Sequence, residues 1–408
     1  MMGLGSRTVF TGGRVFDGTG APLADADVVI ADGRIVEIGT GLDGDAQVDC
    51  GGKSILPGLF DCHVHLTTNG IDLVEALNKP FSYPYYEAVV NLRRTLDAGI
   101  TTVRDAGGAD LGLKEAVEHG LVEGPRMKIA ITILSQTGGH SDQWMACGIH
   151  LNGEPTPGSP WPIVDGVEAV RHKVRELVRA GADQIKVCTS GGVLSPRDDP
   201  RHAHFRLDEL EEFVAQATAS HTYVMAHAQA TDGIKNAVRA GIRSIEHGVF
   251  LDDQAIAMML DRGMWLVPTL SAPLGVLEAV EAGARMPAQM IRKAHEVVDI
   301  HRDSISRAIA AGVRIAMGTD SGVGPHGTNL RELQLMHEAG MKPEEALVAT
   351  TSSAAELLRM DSELGTLETG KRADLVVVAG DPLDFTDLRE RIEQVWKDGR
   401  LVAGGAAR

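Results

Sequence analysis

Little in this chain is aromatic, little is basic, and no apolar run approaches the roughly 20 residues needed to cross a bilayer. Aromatic residues make up only 4%. Lys and Arg number 39 against 56 Asp and Glu, a formal charge of −17. A nucleic-acid binder needs a basic face, and an anionic membrane attracts one; neither partner is expected here. The acidic surplus reads as a solubility feature. Four cysteines (Cys50, Cys62, Cys147 and Cys188) are scattered without the spacing of a disulfide framework or a zinc finger. The opening stretch MMGLGSRTVFTGG lacks the apolar core of a secretory leader, so the cytoplasm is the expected compartment.

What is present is ordinary globular material, 43% hydrophobic and 23% charged, enriched in glycine (47) and histidine (15). A chain of 408 residues suggests about two or three domains. Residues 1–57 read as short strands, with Asp-Gly turns at Asp17-Gly18 and Asp32-Gly33. From there the pattern changes to apolar strands alternating with amphipathic helices, among them 165–180 and 207–221. Strands are predicted to end near Leu66, Asp105, Leu134, Thr189, Ala228, His247, Leu270 and Asp320. Eight such units over 58–361 predict an α/β fold, a (β/α)8 barrel. Strand character returns over 362–408, and the economical reading pairs this tail with the head in one small β-sandwich domain around the barrel.

Six residues stand at or close to those strand ends: His63, His65, Lys186, His227, His247 and Asp320. In a barrel such positions converge on one face. His63 and His65 are two apart, so a strand would send both side chains to the same side, suited to one metal. Singly, each has a plain alternative as a polar residue near a strand end, a helix cap or a solvated lysine. Together they have the donor chemistry of a zinc-type site. A protonated lysine among four histidines would be repelled by a divalent cation. Carboxylation would make Lys186 an anion able to bridge two metals; a lysine holding an acidic substrate group is the other option.

DCHVHL (61–66), KVCTSGG (186–192), AHA (226–228), IEHG (245–248), GTD (318–320) and KRADLVVVAGDPL (371–383) resemble the amidohydrolase superfamily. The branch most similar is the imidazolonepropionase-related one, with metal-dependent dipeptidases, amidases and xenobiotic hydrolases. The resemblance implies a barrel flanked by a β-sandwich and a binuclear centre. His63, His65 and Asp320 would hold the buried metal, His227 and His247 the second, with carboxylated Lys186 bridging them. It implies hydrolysis of an amide, carbamate, urea or ester-like bond, because deaminases of the superfamily usually lack the strand-four lysine. A water held between two divalent cations, zinc by first expectation, would lose its proton near neutral pH and attack. Asp320 would pass that proton to the leaving nitrogen, and His140 in QTGGHSD would donate to the carbonyl oxygen. Family members are often homo-oligomers.

Substrate choice is less directly written. Related dipeptidases carry a tyrosine two residues after the strand-five histidine, where this chain has Gln229. That departure favours aryl carbamates or ureas over Xaa-Pro dipeptides or N-acyl amino acids. Lactone or phosphotriester hydrolysis is a lesser alternative, and a non-catalytic scaffold would be expected to have lost ligands. The stretch 138–162 is long for a connector, with Trp144 and Trp161 able to floor an apolar pocket. The stretch 190–205 reads as a solvated loop rather than a pocket wall.

Overall fold

The computed structural model describes residues 6–151, 154–156, 158–195 and 197–404. Asp32 and Gly33 both take positive φ (49° and 76°), the left-handed pair that a two-residue hairpin turn requires. They join Asp27–Ala31 to Arg34–Gly39, with Ala31 opposite Arg34. Asp398 and Gly399 do the same between Ile392–Lys397 and Arg400–Gly404. Asp17-Gly18 does not form the expected hairpin turn. Arg14–Val15 and Ala24–Asp25 pair across a longer span. The Asp17 and Gly18 carbonyls are instead taken by the Leu367 N–H and the Ser352 hydroxyl.

Head and tail strands share one six-stranded sheet, in which Leu375–Ala379 runs antiparallel to Lys53–Pro57. A four-stranded sheet of Thr8–Thr11, Asp27–Ala31, Arg34–Gly39 and Ala46–Asp49 shares its core, with Phe10, Val28, Ile35, Ile55, Leu375 and Val377 buried together. Residues 1–5 and 405–408 of the expected sandwich segments lie outside the described residues.

Between these segments the chain lays down parallel strands: β1 (Leu59–Val64), β2 (Ile100–Asp105), β3 (Arg126–Ile129), β4 (Ile185–Cys188), β5 (Val224–Ala228), β6 (Ser244–His247), β7 (Trp265–Val267) and β8 (Arg314–Ile315). Most are buried along their whole length, as strands covered on both faces must be. The third strand, expected to run unbroken to Leu134, is interrupted. Ile131 adopts φ 67°, an outlier for a β-branched residue, and pairing resumes at Ile133–Leu134 against β4. The eighth is shorter than expected, yet its continuation bonds to β1: Cys62 N–H to Met317 O (2.9 Å) and Asp320 N–H to His63 O (2.7 Å). The last strand thus returns to the first.

The two singled-out helices span Val167–Arg179 (α1) and Leu207–Ala219 (α2). The second stops short of His221, which takes a left-handed φ of 57°. Farther along run Ser271–Glu281 (α3), Ala288–Ala311 (α4) and Ser352–Leu357 (α5). Among the described residues no helix is long and apolar enough to cross a membrane.

Candidate metal centre

The strand ends bring five imidazoles into a row. Ring centroids of His65 and His63 lie 5.5 Å apart, His63 and His247 5.1 Å, His227 and His247 4.7 Å, and His140 stacks on His227 at 4.1 Å. Asp320 reaches in from the extension of β8. Its Oδ1 makes no hydrogen bond, yet sits 3.1 Å from His65 Nε2 and 3.5 Å from His63 Nε2. These three present ligand atoms within 4.8 Å of one another. Lys186, buried on β4, places Nζ 3.3 Å from His63 Nε2. His247 and Asp320 both take positive φ (73° and 61°), so these donors are held in a disfavoured backbone state at their strand exits.

The ring tautomers follow from the other partners. His65 Nδ1–H donates to the Gly107 carbonyl (2.8 Å) and His227 Nε2–H to the Gly191 carbonyl (3.0 Å). The Glu246 carboxylate accepts from His63 Nδ1 (2.8 Å). Thr269 gives its own proton to Pro268 O and accepts from His247 Nδ1 (2.7 Å). His63, His227 and His247 are each left with one bare nitrogen. Burial would lower the His65 pKa, but the Asp320 carboxylate facing its Nε2 raises it, so that nitrogen holds either a proton shared with Asp320 or a metal ion. Burial drives the pKa of His63, His227 and His247 well below the usual histidine range, keeping the ligand form. Burial would raise the Asp320 carboxyl, but His63 and His65 hold it well below the usual carboxylate range. Burial also lowers Lys186, favouring the neutral amine that can react with carbon dioxide. The donor set fits divalent metal.

A second tier holds these side chains. Glu246 is fully buried and gripped by Arg104 through two bonds (2.9 and 3.0 Å) and by the Ser244 hydroxyl (2.5 Å). Arg104 Nε also donates to the Cys62 carbonyl (2.6 Å), next to His63. His301 on α4 donates to the His247 carbonyl (2.8 Å). Sequence reasoning passed over Glu246 and Arg104. The available signal was a glutamate and an arginine inside otherwise buried strands, which must find each other.

The described part of the 190–205 stretch is only partly solvated: Arg197 and 201–203 are exposed, while Gly191, Gly192, Val193, Ser195, His204 and Phe205 are buried. Asp198, its side chain 2% exposed, lies 3.3 Å from His140 Nδ1, and Ser195 Oγ is 3.0 Å from that nitrogen. Lys293 of α4 ties the loop down through the carbonyls of Gly192 (2.7 Å) and Ser195 (2.9 Å). Gly192 packs so closely that a Cβ there would lie 2.3 Å from His140 Cε1. The local sequence hides this, because the lysine that buries the loop is about a hundred residues away.

A cavity of about 470 Å³ opens onto His140, His227, His247 and Asp320. Val193, Leu194, Pro273, Val276, Val297 and Val323 supply much of its wall, and among the described residues neither lysine nor arginine lines it. Gln229 does, with Oε1 unpartnered. A second cavity of about 770 Å³ touches His65 and is lined by Trp161, Ser141 and Gln143 of the 138–162 stretch. Trp144 lies apart from both, under the Arg197 guanidinium (5.3 Å).

A family model for the amidohydrolase family matches residues 54–403. The chain belongs to the amidohydrolase family. The amidohydrolase is 32% identical to the ochratoxinase of Aspergillus niger over 97% of this chain and 87% of that one. Two solved structures superpose with TM-score 0.91, covering 98% of this chain and all of theirs. One is a Xaa-Pro dipeptidase with bound methionine, 33% identical; the other is a prolidase complexed with N-methylphosphonate-L-proline, 37% identical. Both the family and these likenesses make the amidohydrolase a hydrolase of carbon–nitrogen bonds with an α/β fold.

Proposed function

We propose that the amidohydrolase uses two divalent metal ions to cleave uncharged apolar amides, carbamates or ureas. The observation that carries this reading is the cavity beside His227, His247 and Asp320, walled by valines and, among the described residues, free of lysine and arginine. A substrate carboxylate would find no lysine or arginine there among the described residues. His63, His65 and Asp320 would hold one ion, and His227 and His247 the other. Lys186, as a carbamate, would bridge them. Bound in this way, zinc would act as a Lewis acid and lower the pKa of water.

The side chains do the rest. Asp320 carries an oxygen with no hydrogen bond, free to accept the proton of the attacking water and hand it to the leaving nitrogen. His140, fixed through Nδ1 by Ser195 and Asp198, points Nε2 at the substrate oxygen and would donate to it as the imidazolium paired with Asp198. Apolar walls exclude competing water. This reading includes closure of β1–β8 into a (β/α)8 barrel over 58–361, supported by the bonds from the β8 extension to β1. It also takes 1–57 and 362–408 as the two parts of one sandwich domain.

A dipeptidase or N-acyl amino acid hydrolase is the second reading, favoured by the likeness to the Xaa-Pro dipeptidase. The test compares kcat/KM of the metal-loaded enzyme on two matched libraries. One holds Xaa-Pro dipeptides and N-acyl amino acids; the other holds aryl carbamates, ureas and amides without a carboxylate. Preference for the carboxylate-free set is expected. Preference for the first set would transfer the assignment to the dipeptidase reading.

A further inference from the structure

The opposite end of the parallel strands carries a cavity of about 820 Å³, at the starts of β5, β6, β7 and β8. Four arginines line it, Arg243, Arg262, Arg314 and Arg359, against a single carboxylate, Glu356. The Tyr223 ring lies between Arg243 and Arg359, 5.5 and 5.3 Å from their guanidinium carbons, and Arg314 covers Trp265 at 3.9 Å. Glu356 pairs with Arg314. Arg243 donates to the Leu357 and Glu356 carbonyls (2.8 and 2.7 Å), and Arg359 to the His221 carbonyl (3.2 Å). Four cations against one anion leave three positive charges uncompensated among the lining residues. This happens in a chain whose formal charge is −17.

Packing accounts for only part of the cluster. Arg243 fastens the end of α5 to the strands. Arg262, by contrast, is exposed at the last turn of the helix Asp253–Arg262, and its side chain makes no ion pair or hydrogen bond among the described residues, so only the helix dipole faces its charge. Arg359 and His221 both adopt left-handed backbone (φ 58° and 57°), which side chains other than glycine, asparagine and aspartate rarely tolerate. Burial lowers the pKa of Arg243, and the charges of Arg359 and Arg104 add to that effect. Such crowding is relieved by an anion.

We propose that this cavity binds a small phosphate-bearing anion, remote from the metal centre. Guanidinium forks match phosphate oxygens in pairs and remain charged at any physiological pH. Three spare cations exceed what one carboxylate can neutralise, whereas a phosphate ester carries nearly two negative charges. The cavity lies at the entries of the strands whose exits hold His227, His247 and Asp320, so its occupancy is separable from catalysis.

Calorimetric titration of the metal-loaded protein with inorganic pyrophosphate tests this, beside Arg262→Glu and Arg359→Gln. Saturable binding is expected for the parent, weakening as salt rises. Affinity should fall by roughly tenfold or more in Arg262→Glu, with turnover of amide substrates unchanged. Near-UV circular dichroism establishes that each variant is folded, and Glu356→Gln should bind more tightly than the parent. Undiminished affinity in both arginine variants would place the anion on the metal ions and overturn the proposal. Absence of binding to the parent would overturn it too. Succinate binding as tightly as pyrophosphate would reject the phosphate class in favour of a dicarboxylate.

Discussion

The two ends of the parallel strands handle charge in opposite ways. At the exits, His63, Glu246, Arg104 and Lys186 are almost wholly buried, and each is fixed by a named partner. At the entries, the Arg314 and Glu356 side chains are 41% and 50% exposed, and guanidiniums lie on aromatic faces without full ionic compensation. A buried charge has large consequences when its partner is removed, because the survivor stays desolvated. An exposed one is screened, and its loss is small. The exits are therefore rigid and specific, while the entries are open to exchange with solutes.

The sharpest way to break this contrast is Asp320→Asn. Loss of the proton acceptor should lower kcat by roughly 10²–10⁴-fold with the fold intact by circular dichroism. Retained turnover would remove Asp320 from the proton path. Next comes Glu246→Gln, which strands Arg104 and loosens His63. A loss of about 3–5 kcal/mol in denaturant unfolding is expected, with metal affinity weakened by about 10–100-fold. An unchanged midpoint would mean that the buried network holds nothing in place.

A smaller effect comes from Glu332, whose carboxylate accepts from the Leu270 and Ser271 N–H groups where α3 begins (2.7 and 2.9 Å). Burial pushes its carboxyl up to about 7 from an ordinary 4.5. The folded protein thus holds that proton more tightly than the unfolded chain. The stability it contributes is complete below pH 4.5 and is lost as pH rises to about 7. Relative to Glu332→Gln, the parent should lose roughly 3 kcal/mol across that window. Parallel pH–stability curves for the two proteins would refute it. Smallest of all, Glu356→Gln at the entries should change stability by less than about 1 kcal/mol. A larger loss would show that the arginine cluster is structural cement.

Legibility followed range along the chain. The Asp32-Gly33 turn, the βα alternation and the His63–His65 pair were readable because each depends on residues a few positions apart. The split at Ile131, the failed turn at Asp17-Gly18 and the burial of the 190–205 loop were not. The turn and the loop answer to distant partners, Ser352 and Leu367 for the one and Lys293 for the other. Glu246 and Arg104 occupied the middle ground, visible as charges in buried strands but without a stated pairing.

By itself the sequence determined the strand order, the donor types at the strand exits and the family. These rest on periodicity and on residue chemistry, which are local properties. Only the tertiary structure decided which ring nitrogen of His63, His227 and His247 is bare. It also decided that no described lysine or arginine lines the cavity beside them, and that four arginines far apart in sequence meet at the other end. Those outcomes depend on which atoms are brought within a few ångströms of one another, and the tertiary fold alone sets that.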